Sequence, residues 1–573
     1  MSEDEILLSV AIDFGTTYSG YAFSTKGDFE SDPTKIYANE DWPVGNVGFS
    51  RKTPTVLLLN SEQEFEAFGY EAEQMYSQLA LEGEHEECYF FRRFKMKLYG
   101  EKVVYNDLML EDETGKTLKA EKVFAESIKY LRDHFLKMLN SHGKDLKDSE
   151  IKYTLTVPAI WNDSAKQFMR NAAEKAGIDG RRLKIALEPE AAAIFCQYEK
   201  TERIKNICSC WNRHNLYGGT VDIALHKKLE DDRIQELYQA SGGPFGGTAV
   251  DEAYMQLLTR AFGGPMMHQF RKENTFDFLD MMKEFEVAKR NLNPSGRLSF
   301  NTKLPASFSK CCEQQNDETL KEIVSASNFP FKGKIKVIGD KLSIKANIIL
   351  EIFSSVTTKI TSIIQEVLCQ PVAEACQIIL LVGGFAESKC VQQAIKDQFE
   401  SEERRVILPA ESGLTVVKGA TIFGHKRNLS IVTERVMRQT YGIATAAKYD
   451  SAQHNPGYKV VYGGKDYVDQ FTPFMKKGTS VKEGTIIREK YHFNEFLSNS
   501  GITVYSSTRD VKFIQDGGLE RLVTIYLDKD AEQYYGQEVD IEVAYTFGDT
   551  ELQIEVLCSQ TGNTFSTKVA NYT

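Results

Sequence analysis

Much that would place this chain in a simple class is missing from its sequence. No apolar run reaches the roughly 20 residues of a membrane-spanning helix, so we expect no membrane span. The start, M-S-E-D-E, is acidic and leads at once into a strand pattern, so we expect no secretory signal. A net charge of −12 over 573 residues argues against nucleic acid or an anionic membrane as a partner. A globular protein of several domains is the expected class.

The ten cysteines form neither a disulfide framework nor a metal-binding pattern. Cys208 and Cys210 are one residue apart, and Cys311 and Cys312 are adjacent, so neither pair has the C-x-x-C spacing of a zinc site. The nine histidines show no ligand spacing either. Free thiols are typical of a reducing compartment, and we therefore expect a cytoplasmic protein.

Strands alternate with helices up to about residue 428, which predicts an α/β region. Apolar residues at 7–12 and 21–23 flank the turn D-F-G-T-T and predict a hairpin. A strand over 151–157 stops at Pro158, and Asp163 is a suitable cap for the helix that follows. The same patterns predict helices over 121–139 and 281–292, another from Glu188, and a buried strand over 378–382.

The pattern changes after about Tyr441, where short alternating runs such as L-V-T-I-Y-L are separated by turn clusters. Such runs predict an antiparallel β-sandwich. The last residues, S-T-K-V-A-N-Y-T, are not helical, so we expect no helical lid after the sheet. The predicted domains are residues 1–428 and 429–573.

Three glycine turns follow apolar strands and carry the first sign of chemistry. At the predicted hairpin tip, Asp13 can hold a hydrated Mg²⁺, and Gly15 lets the chain approach a phosphate closely. A plain polar turn remains the alternative for this motif taken alone. Glycine turns recur at 218–220 and 383–384, which favours two α/β lobes that close on a nucleotide.

Several longer motifs resemble those of the seventy-kilodalton heat-shock proteins, within the actin and sugar-kinase superfamily of ATPases. V-A-I-D-F-G-T-T-Y-S-G at 10–20 matches the first phosphate motif of the family, and residues 156–178 match its first connecting segment. A-L-E-P-E-A-A-A-I-F at 186–195 matches the glutamate-proline motif, and L-L-V-G-G-F at 380–385 the adenosine motif. The chain looks closest to the divergent, lid-lacking branch known as heat-shock 70 kDa protein 12. The resemblance implies a two-lobed actin-like ATPase fold followed by a β-rich domain.

The resemblance also implies roles around the phosphates of ATP or ADP. Asp13 and Asp222 would contact the water shell of Mg²⁺. Glu188 would polarise the attacking water, with Pro189 as the switch beside it. Lys95 would orient that water, and Lys97 is the alternative alignment. The phosphates would be lined by Gly15, Thr16, Thr17, Tyr18, Gly218, Gly219 and Thr220.

At the nucleoside end, the resemblance assigns the segment E-V-A-K-R to the adenosine. Glu286, Lys289 and Arg290 would contact it, and Gly383, Gly384 and Phe385 would close over it. Taken singly, each of these charges is more often part of a solvated helix face. The ordered set of a backbone cradle, metal carboxylates, a cation and a water-positioning acid is what indicates phosphoryl transfer.

The second phosphate motif, N-L-Y-G-G-T-V-D at 215–222, departs from the family pattern D-x-G-G-G-T-x-D. Asn215 replaces an acid and brings no charge to Mg²⁺, and Tyr217 replaces a glycine. The preceding run I-C-S-C-W-N-R-H is too polar for a central strand, and the family acid near E-S-G-L falls at Gly413. Three explanations stay open: binding with impaired turnover, ordinary hydrolysis, or a sequence or splice error over 207–217.

The expected function is that of an ATP-binding, atypical heat-shock-70-like protein, either a slow ATPase chaperone of the stress response or a nucleotide-sensing scaffold. Its partners would be protein clients or a specific signalling protein. The acidic apolar linker of the family is not evident, since N-L-S-I-V-T-E-R-V stands in its place. The acidic tail that recruits co-chaperones is not evident either, so nucleotide-driven peptide release is only a hypothesis. A sugar kinase is the distant alternative.

Overall fold

The chain folds into two α/β lobes and a C-terminal β-sandwich, which confirms the predicted fold class. The computed structural model describes residues 6–40, 42–44, 48–100, 107–143, 146–198, 215–216, 221–229, 233–294, 299–425, 432–493, 500–527, 536–547, 551–559, 562 and 564–570. The predicted boundary at 428/429 and the polar run 207–214 lie outside these described residues.

The first lobe, within residues 6–198, packs helices on a mixed β-sheet. Its strands are β1 (Leu8–Phe14), β2 (Tyr18–Thr25), β3 (Tyr37–Ala38), β4 (Trp42–Val44), β5 (Gly48–Ser50), β6 (Thr53–Pro54), β7 (Val56–Leu59), β8 (Phe65–Phe68), β9 (Tyr89–Arg92), β10 (Met109–Glu111), β11 (Thr117–Lys119), β12 (Ile151–Val157) and β13 (Leu183–Leu187). Its helices are α1 (Lys26–Ser31), α2 (Tyr70–Glu82), α3 (Lys97–Gly100), α4 (Ala120–Ser141), α5 (Asp163–Lys175) and α6 (Glu188–Tyr198). The main sheet has the order β13-β12-β1-β2-β3, and β1 and β2 form the predicted hairpin.

The predicted elements of this lobe agree closely with the structure, with one correction. The strand predicted over 151–157 is β12, and the amphipathic helix predicted over 121–139 is α4. The predicted cap of α5 is wrong by one residue, because the Asn162 side chain accepts the Ala165 N–H at 2.9 Å. Asp163 is instead the first helical residue, and its carboxylate accepts a hydrogen bond from the Tyr441 hydroxyl.

The second lobe, within residues 215–425, packs around an apolar core that it shares with buried residues of β7, β8, α2 and β9. Its strands are β14 (Asn215–Leu216), β15 (Val221–Lys228), β16 (Ile234–Gly243), β17 (Phe300–Lys303), β18 (Ile335–Ile338), β19 (Lys341–Ile344), β20 (Ile378–Leu380) and β21 (Arg405–Ile407). Its helices are α7 (Gly247–Phe262), α8 (Gly264–Glu273), α9 (Thr275–Arg290), α10 (Ala306–Asn316), α11 (Leu320–Ser325), α12 (Ala346–Leu368), α13 (Lys389–Phe399) and α14 (Thr415–His425). The last helix, α14, packs back on α6 and β1 of the first lobe.

Two predicted boundaries in this lobe need correction. Helix α9 begins six residues before the predicted start at Met281, because Phe278 and Leu279 extend its buried face toward the N-terminus. The strand predicted over 378–382 is regular only as β20, which pairs in parallel with β21. Leu381 and Val382 continue from β20 as buried coil.

Helix α12 is long and apolar enough to cross a membrane by length and composition, although the sequence analysis found no apolar run of that size. It is the one such helix among the described residues. Half of its most apolar window is buried inside the protein, where Ile349, Phe353 and Ile360 belong to the core of the second lobe. The core helix of a globular domain can be equally long and apolar.

The C-terminal region forms the predicted antiparallel sandwich. Its strands are β22 (Val432–Val436), β23 (Thr440–Lys448), β24 (Lys459–Tyr462), β25 (Lys465–Met475), β26 (Ser480–Lys482), β27 (Thr485–Phe493), β28 (Gly501–Ser507), β29 (Leu519–Tyr526), β30 (Val539–Phe547), β31 (Glu551–Cys558) and β32 (Thr564–Ala570). One sheet has the order β24-β25-β23-β28-β29 and the other β27-β30-β31-β32. Tyr441, Val504, Val543 and Ile554 fill the core between them.

A short strand joins the sandwich to the second lobe. Strand β22, with the sequence V-T-E-R-V, pairs in parallel with β16 and in antiparallel fashion with β26. Its Arg435 is buried in an ion pair with Glu190, two residues after the predicted catalytic Glu188. A strand of five residues therefore stands where the sequence analysis found no linker.

Candidate functional site

The turn between β1 and β2 brings backbone and hydroxyl groups to the mouth of the cleft between the lobes. A side chain at Gly15 would place its Cβ 2.1 Å from the Tyr18 carbonyl oxygen, so this turn requires glycine. The Thr55 hydroxyl donates to the Gly15 carbonyl at 2.7 Å, which fixes the turn on the neighbouring segment. Thr16 and Thr17 line a cavity of about 610 Å³ in the cleft.

Asp13, at the end of β1, has both carboxylate oxygens occupied by protein donors. The Thr156 hydroxyl donates to Oδ1 at 2.8 Å, and the Lys52 ammonium lies 2.6 Å from Oδ2. Burial alone would raise the pKa of Asp13, but the charges of Lys52 and Lys95 hold that pKa below its usual range. This carboxylate is therefore ionised at neutral pH.

Lys95 and Glu188 form a buried ion pair beside Asp13. The Lys95 Nζ lies 2.9 Å from Glu188 Oε1, and the two side chains are only 3% and 5% exposed. The alternative lysine, Lys97, is exposed. Burial raises the pKa of Glu188 and the nearby Asp13 charge adds to the rise, while the Lys95 ammonium opposes it. A lysine is thus placed against the predicted water-polarising acid.

Asp222, on β15, is a third buried carboxylate next to this pair. The Ala159 N–H donates to its Oδ2 at 2.5 Å, whereas Oδ1 has no hydrogen-bond partner within the described residues. Burial raises the pKa of Asp222 to about 7, and Glu188 contributes to the rise. Asn215 stands opposite Asp222 in the pairing of β14 with β15, and the predicted residues Gly218, Gly219 and Thr220 lie outside the described residues.

The predicted nucleoside-binding residues surround a smaller cavity of about 290 Å³. It is lined by residues from both ends of the predicted site: Thr17, Tyr18, Glu286, Lys289, Arg290, Gly384 and Phe385. The Arg290 guanidinium lies 4.9 Å from the centre of the Tyr18 ring, a cation–π contact between second lobe and first. Gly383 immediately precedes this lining and donates its N–H to the Ser412 carbonyl at 2.8 Å.

Charges also pair across the cleft beside this cavity. Asp251 of α7 accepts from Lys289 of the second lobe and from Arg93 of the first lobe, each at 2.6 Å. Arg93 has a left-handed backbone with φ of 56°, which is uncommon outside glycine. Glu286 completes the group through ion pairs with Lys289 and Arg290.

Sequence reasoning missed four residues that the fold brings to the site: Lys52, Arg93, Thr156 and Asp251. Lys52 and Arg93 each lie among other basic residues, in R-K-T-P and F-R-R-F-K, and nothing in those segments distinguishes one charge from its neighbour. Thr156 alone carried a signal, because it is the last residue but one of β12, which lies parallel to the strand bearing Asp13.

The carboxylates of Asp13 and Asp222 fit a magnesium ion that is bound through water molecules better than one that they coordinate directly. The described residues contain no cluster of three or more His, Cys, Asp or Glu side chains that could enclose a metal. The Asp222 Oδ1 atom is buried and has no donor among the described residues, so it could accept a hydrogen bond from a water of a hydrated cation. Asp13 can also accept a hydrogen bond from this water shell only if the same carboxylate continues to pair with Lys52.

Comparison with known proteins gives one family and several relatives. The family model described as Hsp70 protein matches residues 92–451. Heat shock 70 kDa protein 12A of Mus musculus is 30% identical over 620 residues, which cover 96% of this chain and 89% of that protein. Heat shock 70 kDa protein 12B of Homo sapiens is 31% identical over 95% of this chain and 88% of its own length. Human 12A is 30% identical over 96% and 89%. The chain belongs to the Hsp70 family.

Proposed function

We propose that this protein binds ATP in the cleft between its lobes and hydrolyses it slowly. The observation that carries the proposal is the buried pair of Lys95 and Glu188, with Asp13 and Asp222 beside it. Burying an acid with a lysine is costly unless each group satisfies the other. A buried acid with a raised pKa beside a lysine is typical of catalytic sites.

Each residue would have a distinct part in the reaction. The amides and hydroxyls of Thr16 and Thr17 would bind the phosphates, and Glu188 would accept a hydrogen bond from the attacking water. Lys95 would hold Glu188 and the water in place. Bound Mg²⁺ would neutralise phosphate charge, with Asp13 and Asp222 holding its water shell.

A nucleotide-sensing scaffold is the second candidate, and Asn215 favours it. Because Asn215 pairs in backbone register with Asp222, a neutral residue occupies the position of the family acid, opposite the predicted metal carboxylate. Lower negative charge here would weaken metal binding without removing the cavity for the nucleoside. Such a protein would bind ATP and a specific partner with little turnover.

Single-turnover hydrolysis of Mg-ATP separates the two candidates. The wild-type protein would be compared with the double variant Asn215→Asp plus Tyr217→Gly. Slow turnover by the wild-type protein supports the proposed ATPase. Turnover by the double variant alone supports the scaffold, and a lack of turnover by both, with ATP still bound, also excludes the ATPase.

Protein clients remain part of the proposal, since the sandwich occupies the position of the peptide-binding domain in the family. A chaperone would release a labelled peptide faster in ATP than in ADP. A scaffold would bind one protein partner and show no affinity for a panel of extended peptides. Failure to phosphorylate a panel of sugars would remove the sugar-kinase alternative.

A further inference from the structure

Lys52 places a positive charge on the predicted metal carboxylate, although no motif of the sequence includes it. Its ammonium lies 2.6 Å from Asp13 Oδ2, and its side chain is 20% exposed while that of Asp13 is 9% exposed. A lysine with this little exposure is not part of an ordinary surface ion pair. Its direct contact is with the carboxylate predicted to meet the water shell of Mg²⁺.

The register of the sheet puts Lys52 in this place. Asp13 pairs with Gly20 across the hairpin of β1 and β2, and Ser19 pairs with Thr53 on the other side of β2. Lys52, which precedes Thr53, therefore lies next to Gly20. A Cβ at Gly20 would come within 3.0 Å of the Lys52 Cγ, so the absence of a side chain there leaves room for the lysine stem.

The same segment is tied to the phosphate turn itself. Thr55 donates its backbone N–H to the Thr17 carbonyl at 2.9 Å and its hydroxyl to the Gly15 carbonyl at 2.7 Å. Its hydroxyl also shares a 2.7 Å hydrogen bond with Ser19. Lys52 is thus three residues from Thr55, which is hydrogen-bonded to the loop that would bind the phosphates.

We propose that Lys52 is a tethered cation of the nucleotide site, which lets this protein bind ATP and ADP without Mg²⁺. Thr156 and Lys52 occupy both oxygens of Asp13, so the negative charge of this carboxylate is balanced before any metal enters. The Lys52 ammonium has three N–H donors, and those not directed at Asp13 then donate to nucleotide phosphates from a position fixed by the sheet. The proposal rests on nucleotide binding, the first half of the proposed function.

Calorimetric titration of the full chain with ATP, in Mg²⁺ and in EDTA, tests the inference. We expect the wild type to bind in both buffers with nearly the same affinity. Lys52→Met keeps the stem beside Gly20 but removes the charge, and we expect it to bind ATP in Mg²⁺ and to lose roughly 10- to 100-fold in EDTA. Lys52→Arg keeps a positive charge and should retain much of the binding in EDTA.

The control is Lys35→Met, which removes one lysine from a surface ion pair with Asp28. It should leave both affinities unchanged. If chelation weakens the wild type as strongly as Lys52→Met, Lys52 only neutralises a buried acid and the inference is wrong. If the wild type binds no nucleotide even in Mg²⁺, the proposed function fails as well, so the two failures are distinct.

Discussion

Three carboxylates at the site have the same chemistry and different surroundings. Two lysines keep Asp13 ionised, whereas burial raises the pKa of Glu188 and brings that of Asp222 to about 7. Environments that push the pKa values of neighbouring acids apart are how proteins separate acid, base and metal-binding roles. Glu188 has the raised pKa and the lysine partner that suit a group accepting a proton from water.

Glu188→Gln should therefore abolish most hydrolysis and leave ATP binding almost unchanged. Glutamine is nearly isosteric, and its amide oxygen can still accept the hydrogen bond from Lys95, but it cannot take a proton. We expect the single-turnover rate to fall by roughly 100-fold or more. Titration calorimetry measures the affinity and rapid-quench assays the rate.

The matched control for this variant is Glu374→Gln, which changes an exposed glutamate far along the chain from the site motifs. Its rate should equal that of the wild type. An unchanged rate in Glu188→Gln would contradict the assignment of the water-positioning acid. A loss of both rate and affinity would indicate that the glutamine had disturbed the pair with Lys95 rather than the chemistry alone.

At the scale of elements, strand β22 connects three parts of the molecule. Arg435 of β22 reaches Glu190 at the start of α6, and the Val436 N–H donates to Glu236 of β16 at 3.0 Å. Burial raises the pKa of Glu236 to about 7, while that hydrogen bond, Arg438 and Lys166 lower it. An ionisable group is thus buried where the linker strand meets the second lobe.

The sign of the pH effect follows from this shift. The folded pKa of Glu236 lies above its ordinary value of 4.5, so the folded state binds the proton more tightly than the unfolded state. The resulting stabilisation is complete below about pH 4.5 and is lost as the pH rises toward 7. Ionised Glu236 then costs the folded state about 3 kcal/mol.

Glu236→Gln should remove this dependence, because the amide still accepts the Val436 N–H but carries no charge. Thermal unfolding followed by circular dichroism between pH 5 and 8.5 provides the measurement. We expect the variant to exceed the wild type in melting temperature by a margin that grows up to about pH 7 and then stays constant. Parallel curves at all pH values would show that Glu236 does not titrate in this range.

The same elements show what sequence could and could not predict. Strand β12 and helix α4 were predicted almost to the residue, because apolar residues recur along each of them at the spacing of its buried face. β22 was missed because V-T-E-R-V mixes apolar and charged residues. Its charges are satisfied by Glu190 and by Gln235, which lie more than 190 residues away in the chain. The motifs likewise named Asp13 and Glu188, while Lys52 reaches Asp13 only through sheet register.

At the scale of the whole molecule, the segment 159–164 lies between the site and the sandwich. Ala159 donates its N–H to Asp222, and its carbonyl accepts a hydrogen bond from Arg438, just beyond β22. Arg438 also donates to the Ile160 carbonyl at 3.1 Å. The sandwich adds contacts from Tyr441 to Asp163 at 2.6 Å and from Glu520 to the Ser164 N–H at 3.0 Å.

One residue, Ala159, therefore contacts both the site and the linker, which predicts an effect of Arg438 on a cleft that it does not line. In Arg438→Met, the Ala159 carbonyl loses its partner, and Asp222 loses the fixed position of the one N–H that donates to it among the described residues. We expect ATP affinity to weaken by about fivefold or more, the size of an ordinary coupling between sites. Arg488→Met, which removes an exposed arginine of the sandwich, should have no effect on ATP affinity.

Because coupling is reciprocal, ATP should also slow hydrogen exchange at residues 159–164 and in β22 of the wild type. The slowing should be smaller in Arg438→Met. Equal ATP affinities in wild type and Arg438→Met would mean that the contacts of Arg438 with Ala159 and Ile160 are not coupled to nucleotide binding.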